Sequence, residues 1–195
     1  MDSDPTLADP SKMAAIRLLA LDLDGTIVSG HAGITARVQA AVEDAQALGT
    51  AVTIATGRMF RSARRFAHQL NVAVPIICYQ GALVRDPITE ETLYSRVLPV
   101  QPGLDVVTFA KARRLHINAY VDDDLYMESI TPEGRFYAET SDVPIRVIPD
   151  IRDAVRRGTT KLVMVAAEED IPSVVADLEI RFGAVLAVTR SHPRF

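Results

Sequence analysis

Three short apolar runs, each closed by a polar cluster, constrain this chain more than any other feature. The first covers residues 14–23, broken only by Arg17 and ended by the carboxylates of Asp22 and Asp24. The second covers residues 51–55 and stops at Thr56-Gly57-Arg58; the third covers 75–78 and stops at Tyr79-Gln80-Gly81. Short apolar runs without alternation predict strands buried on both faces, as in a parallel sheet. Between the first two runs, Ile34, Val38, Ala41, Val42, Ala45 and Leu48 recur at helical spacing, with Gly49 where a helix C-cap belongs. A second helix is predicted over residues 60–70, with Asn71 as its stop. Strand, helix, strand, helix, strand with short connections predicts a right-handed parallel α/β unit. In such sheets ligands sit at the carboxyl ends of the strands, where all three polar clusters fall.

Beyond residue 83 the texture changes. Strands are predicted over 93–97 and 161–166, and a hairpin over 117–121 and 125–128 around Asp122-Asp123-Asp124. Helices are predicted over 104–115, 151–157 and 171–182, and a last strand over 184–188. The acidic triplet reads first as a hairpin turn and only second as a metal site. The expected fold class is therefore α/β: a partial Rossmann-like parallel sheet core with an inserted α/β layer. Residues 1–13, rich in Asp, Pro and Ser, read as a disordered leader without a signal-peptide pattern.

Asp22 and Asp24 are two residues apart, so on an extended strand both point to one side. Two such carboxylates repel, and joint ionisation calls for a cation or a shared proton. Magnesium, a hard ion preferring oxygen ligands, meets that need. A carboxylate beside it can attack phosphorus and form an aspartyl-phosphate. The second is placed to protonate the leaving oxygen and later to activate water. Gly25 allows a sharp turn, and Thr26 offers a hydroxyl. The competing readings are an acidic cap on a solvated turn and the Asp-x-Asp metal pair of a sugar transferase. The second lacks any accompanying nucleotide-binding pattern.

With Asp22-Leu23-Asp24-Gly25-Thr26 as a first motif and Ala55-Thr56-Gly57-Arg58 as a second, the chain resembles the haloacid-dehalogenase-like hydrolases, specifically the Cof-type phosphatases. Gln80-Gly81-Ala82 continues the likeness, with Gln where relatives usually carry Asn. The resemblance implies Asp22 as nucleophile, Asp24 as acid/base and Thr56 as a hydroxyl donor to the phosphoryl group. It implies Mg²⁺ bound by the Asp22 carboxylate and the Asp24 backbone carbonyl. The expected substrate-binding set is Gly25, Thr26, Gly57, Arg58, Gln80 and Gly81. By the same likeness, residues 14–83 are the N-terminal part of the core, 84–189 an α/β cap that covers the site, and 190–195 the start of the return to the core.

Two further family motifs, a Lys before a Gly and an acidic Gly-Asp-x-x-Asn-Asp segment, have no match here. The lysines are Lys12, Lys111 and Lys161, and Lys161 opens an apolar strand. The resemblance thus implies a shortened form of a longer phosphatase, or a partner that supplies the rest. On that expectation the isolated chain has little activity, its first strand has an open edge, and self-association follows through the incomplete core. The alternative is a non-catalytic module that keeps phosphate or metal affinity or binds a partner.

Composition narrows the class of partner. Of 195 residues, 48% are hydrophobic and 24% charged, as in a soluble globular protein. A net charge of −4 gives no general attraction to nucleic acid or to an anionic membrane, so an anionic substrate, expected to be a small phosphorylated metabolite, must be held by local features. A lone cysteine, Cys78, excludes an intrachain disulfide, and no apolar run is long enough to cross a bilayer. A cytoplasmic location is the resulting expectation. Arg58, Arg61, Arg64 and Arg65 form a basic helix start in which Arg58 alone is expected near the site. His31, in the loop after the first motif, reads as a solvated loop residue.

Overall fold

A computed structural model describes residues 16–28 and 33–195; the expected leader and His31 lie outside the described residues. The chain divides into two compact units, up to Ser95 and from Arg96 onward.

In the first unit, β1 (Leu18–Leu21) pairs in parallel with β2 (Ala51–Ile54), with Leu18 opposite Ala51 and Leu21 opposite Ile54. Helix α1 (Ala36–Ala47) joins them. Its N-cap Thr35 accepts the Val38 N–H, and Gly49 at φ +84° follows its last turn, the left-handed exit glycine makes cheap. Helix α2 (Phe60–Gln69) buries Phe60, Ala63, Phe66 and Ala67 and stops at Asn71, φ +51°. Strand β3 (Ile76–Cys78) lies along β2 in parallel through Ala55 and Ile77. The Thr53 hydroxyl donates to the Pro75 carbonyl at 2.6 Å and ties the same two strands.

After β3 the direction reverses: β4 (Leu83–Arg85) and β5 (Thr92–Ser95) add antiparallel strands. β3, β4 and β5 form one three-stranded sheet, and the first compact unit runs through Ser95. The β4–β5 turn is built on Asp86, whose carboxylate accepts the Ile88 and Thr89 N–H groups; those bonds hold its pKa below the ordinary value. Arg64 pairs with Glu90 and donates to the Pro87 carbonyl at 2.8 Å, so it braces this turn instead of joining a purely solvated face.

The expectation that the first strand is buried on both faces is not met. Among the described residues β1 pairs with β2 alone, and Leu18 is 58% exposed. The apolar run makes a strand, but burial needs a neighbour on each edge and a layer on each face.

The second unit carries a four-stranded sheet in the order β8-β7-β6-β9: Ile145–Val147, Asp124–Met127, His116–Val121 and Lys161–Val165. The β6–β7 hairpin turns at Asp122 and Asp123, both left-handed, at φ +50° and +63°. Two successive positive φ values fit the right-handed twist of the strands, and short acidic side chains tolerate them. Asp124 then pairs with Arg146 at 2.7 Å. Residues 117, 119 and 121 of β6 point to one face, packed by helices α3 (Val100–Ala112), α5 (Ile151–Arg156) and α6 (Ile171–Phe182) around Val107, Ile151 and Val155. Residues 116, 118 and 120 face α4 (Pro132–Ser141), where the Tyr120 and Tyr137 hydroxyls meet at 3.0 Å. Arg194 and Phe195 stay on this unit: the Ala166 N–H donates to the Arg194 carbonyl, and Phe195 packs on Tyr137 at 4.8 Å.

One expectation fails here, and two elements are new. Residues 184–188 form no strand, because the Val185 and Leu186 N–H groups both turn back onto the Phe182 carbonyl. Helix α4 and strand β8 are additional elements. Thr131 caps α4 by accepting the Gly134 N–H, and Pro132 occupies its first turn. No helix of the described residues is long and apolar enough to cross a membrane.

Candidate active site

The site is assembled where β1, β2 and β3 end. The Ala55 N–H donates to the Leu21 carbonyl at 2.9 Å and the Thr56 N–H to the Ile77 carbonyl at 2.9 Å. The three polar clusters are thereby set side by side by main-chain bonds. After β1 the chain winds around one carbonyl: the N–H groups of Thr26, Ile27 and Val28 all converge on Leu23. Leu23 is fully buried, which pins this turn between the two exposed aspartates. Gly25 stands at φ +75° with open space about its Cβ position, so conformation rather than crowding demands glycine there.

A second set of bonds knits the loops after β2 and β3. The Gln80 N–H donates to the Thr56 carbonyl and the Tyr79 N–H to the Arg58 carbonyl, at 3.1 and 3.0 Å. Tyr79 and Gln80 take left-handed conformations, φ +51° and +53°, and Gly81 follows at +94°. Such a run costs backbone energy for the two non-glycine residues, which the cross-loop bonds offset. Asn would adopt this conformation more readily than Gln, since a short amide can bond its own backbone. Gln80 lies across Gly57, where a Cβ would meet its side chain at 3.3 Å.

Arg58 joins the clusters. Its guanidinium grips Asp24 with two bonds, Nε to Oδ2 at 2.8 Å and Nη2 to Oδ1 at 2.6 Å. The guanidinium is backed on its other side, with its carbon 5.1 Å from the centre of the Phe66 ring and Nη1 3.4 Å from Ser62 Oγ. The Arg58 side chain is 20% exposed and that of Asp24 57%, so the pair contributes about 1 kcal/mol or less to stability. Ser62 and Phe66, four and eight residues beyond Arg58 on α2, are supports that sequence reasoning missed; their spacing on one helix face was the available signal. Thr56 is buried, and its Oγ1 accepts the Arg58 N–H at 3.2 Å. That leaves the hydroxyl proton to be donated elsewhere.

Asp22 differs from Asp24. It is exposed, and its Oδ1 accepts the N–H of Leu23 at 2.9 Å. The structure thus brings together Asp24, Thr56, Gly57, Arg58 and Gln80 by direct contact, and Asp22 by strand register. Thr26 and Gly81 are exposed in the flanking turns and stand outside the hydrogen-bonded set of side chains.

The donor chemistry suits magnesium. The Asp22 carboxylate retains oxygen lone pairs beyond the one used by Leu23, and among the described residues the Asp24 carbonyl stands outside the hydrogen bonds of its turn. With the Asp24 carboxylate held by Arg58, the carbonyl is its natural ligand atom. One carboxylate and one carbonyl make a partial shell of the kind magnesium completes with water and phosphate oxygens. Among the described residues there is no group of three or more His, Cys, Asp or Glu placed to hold a metal.

Comparison with known proteins agrees with this geometry. A Bacillus subtilis 5-amino-6-(5-phospho-D-ribitylamino)uracil phosphatase is 28% identical over 161 residues, covering 80% of this chain and 58% of that protein. The Escherichia coli pyridoxal phosphate phosphatase is 29% identical over 115 residues, covering 59% and 42%. The chain thus spans about half the length of these relatives. A Thermotoga maritima protein of known crystal structure superposes with a TM-score of 0.78 at 30% identity, covering 92% of this chain and 67% of that one. The sequence pattern of the haloacid dehalogenase-like hydrolases matches from residue 19 to residue 195. That match runs through both units, and the chain belongs to the haloacid dehalogenase-like hydrolase family.

Proposed function

We propose that the protein is a magnesium-dependent phosphatase of small phosphorylated metabolites, acting through an aspartyl-phosphate on Asp22. The observation that carries this reading is the placement of Asp22, Asp24 and Thr56 at the ends of two adjacent parallel strands. The two named phosphatases among the relatives support it, one acting on a phosphoribityl compound and one on pyridoxal phosphate.

Each residue has a role that its surroundings favour. Asp22, exposed and with no cation gripping it among the described residues, attacks phosphorus in line with the departing oxygen. Asp24, two residues on, gives a proton to that oxygen and later takes one from water. The Thr56 hydroxyl, its acceptor side occupied by the Arg58 N–H, donates to a phosphoryl oxygen. Gly57 and Gln80 line the approach, with the Gln80 amide laid across the glycine. Magnesium held by Asp22 and the Asp24 carbonyl would neutralise charge on the attacking carboxylate and on the phosphoryl oxygens.

The test is turnover of p-nitrophenyl phosphate by the full chain with magnesium, after chelation, and in Asp22→Asn. The parent chain is expected to turn over slowly, with a rate that needs the metal and falls to background in the variant. Equal turnover by Asp22→Asn and the parent protein would remove the covalent mechanism.

A further inference from the structure

We infer that Arg58 is a positioning residue shared between two anions: it holds Asp24 while the site is free of phosphate and passes to the phosphoryl group when one arrives. This rests on the reading of Asp22, Asp24 and Thr56 as a phosphoryl site.

Four observations lead there. Both oxygens of Asp24 accept from the guanidinium, at 2.8 and 2.6 Å, so the carboxylate is wholly an acceptor in this arrangement. A group that must hand a proton to a leaving oxygen cannot do so while both its oxygens are held in that way. The fork therefore has to open during the reaction. The Arg58 main chain is fixed beside the phosphoryl position by its N–H bond to Thr56 Oγ1 at 3.2 Å. The guanidinium itself also touches Phe66 and Ser62, so it has partners at the site besides Asp24. Asp24, with its side chain 57% exposed, is the partner free to swing away.

A phosphoryl group bonded to the Thr56 hydroxyl presents oxygens with the bidentate spacing that guanidinium matches. Arrival of the substrate anion and release of the Asp24 carboxylate then become one exchange. The acid/base group is withheld until there is phosphate to act on.

Competition of this kind has a thermodynamic signature independent of turnover. Inorganic phosphate is titrated into the full chain, and binding is followed through the backbone amide resonances of Thr56 and Arg58 and the Arg58 Nε–H resonance. Asp24→Asn should bind phosphate about fivefold more tightly than the parent, because the competing carboxylate is gone. Arg58→Gln should bind about tenfold more weakly. In the double variant the gain from Asp24→Asn should vanish. Simple charge repulsion by Asp24 would instead leave the same gain in the Arg58→Gln background, and that result would overturn the exchange. Arg58→Lys, which keeps the charge but not the fork, should show less than half of the Asp24→Asn gain. If phosphate shifts these resonances but Asp24→Asn leaves the affinity unchanged, the exchange fails while the site stands. If millimolar phosphate moves none of them in any variant, the phosphoryl site itself fails, and the exchange with it.

Discussion

Strands β1 and β6 are both apolar runs, yet one alternates between exposed and half-buried residues and the other is sealed. In β6, every residue from Ile117 to Val121 is buried; β7 and β9 flank it, α3 and α5 cover one face and α4 the other. In β1 the pattern alternates between exposed and half-buried, with a single partner strand among the described residues. The difference extends to the polar groups. On β6, Asn118 is fully buried and accepts from His116 at 2.7 Å, while His116 also meets Thr131 at 2.8 Å. At the end of β1, Asp22 and Asp24 stay exposed. Polar groups that hold this sheet together are buried or half-buried and paired through Asn118 Oδ1 and both His116 nitrogens, while Asn118 Nδ2 has no partner among the described residues. Those available for chemistry are left at an open strand end on a backbone fixed by its neighbours.

The contrast breaks most sharply in the second sheet. Leu125 of β7, opposite Tyr120, is completely buried. Leu125→Ala removes its contacts and leaves a cavity, and should cost about 2–5 kcal/mol. Denaturant unfolding of the full chain reads this directly, preferably with a probe in each unit, since two units need not unfold as one. A loss below about 1 kcal/mol would mean that this sheet is no better packed than β1.

A half-buried charge sharpens the same comparison through pH. Lys161 opens β9 opposite Tyr120, and burial pushes its pKa down from 10.5 to about 8. The neutral amine is favoured in the fold, so between about pH 8 and 10.5 the unfolded chain binds more protons than the folded one. Stability should therefore rise with pH across that window. Burial also raises the Tyr137 phenol above its ordinary value of 10.0, so the contribution from that group is present below pH 10 and lost above it. The clean interval is pH 8 to 10, and Lys161→Met should flatten the rise in unfolding midpoint there. A parent protein that shows no rise relative to the variant would mean that Lys161 is solvated.

These contrasts also mark what the sequence makes legible. Helical spacing and capping residues located most helices, and Asp122-Asp123 located the hairpin, because both are local signals. The clusters at Asp22, Thr56 and Gln80 could be placed at strand ends, since a strand must stop where its polar residues begin. What could not be read was non-local. Arg58 and Asp24 are 34 residues apart, and their pairing depends on the register of β1 against β2. An apolar run states that a strand gains from being covered, but not by what; Leu18 shows the gap. The strand expected over 184–188 failed for a related reason: its residues have strand propensity but no ladder to join.

The smallest expected effect is therefore on β1 itself, and it depends on which face is altered. Successive residues of a strand point to opposite sides, and the burial of β1 follows that period: Leu18 and Ala20 are exposed, Leu19 and Leu21 half-buried. The parallel ladder to β2 is made by main-chain groups, so replacing a side chain leaves its hydrogen bonds in place. Leu18→Thr removes apolar surface that is mostly in water already and introduces a β-branched residue suited to a strand. It should change stability by about 0.5 kcal/mol or less. Leu19→Thr moves a hydroxyl to the half-covered side and should cost about 1 kcal/mol. Paired unfolding curves of the two variants isolate the face from the position. Equal losses would show that β1 is covered on both sides in solution, and the contrast with β6 would then disappear.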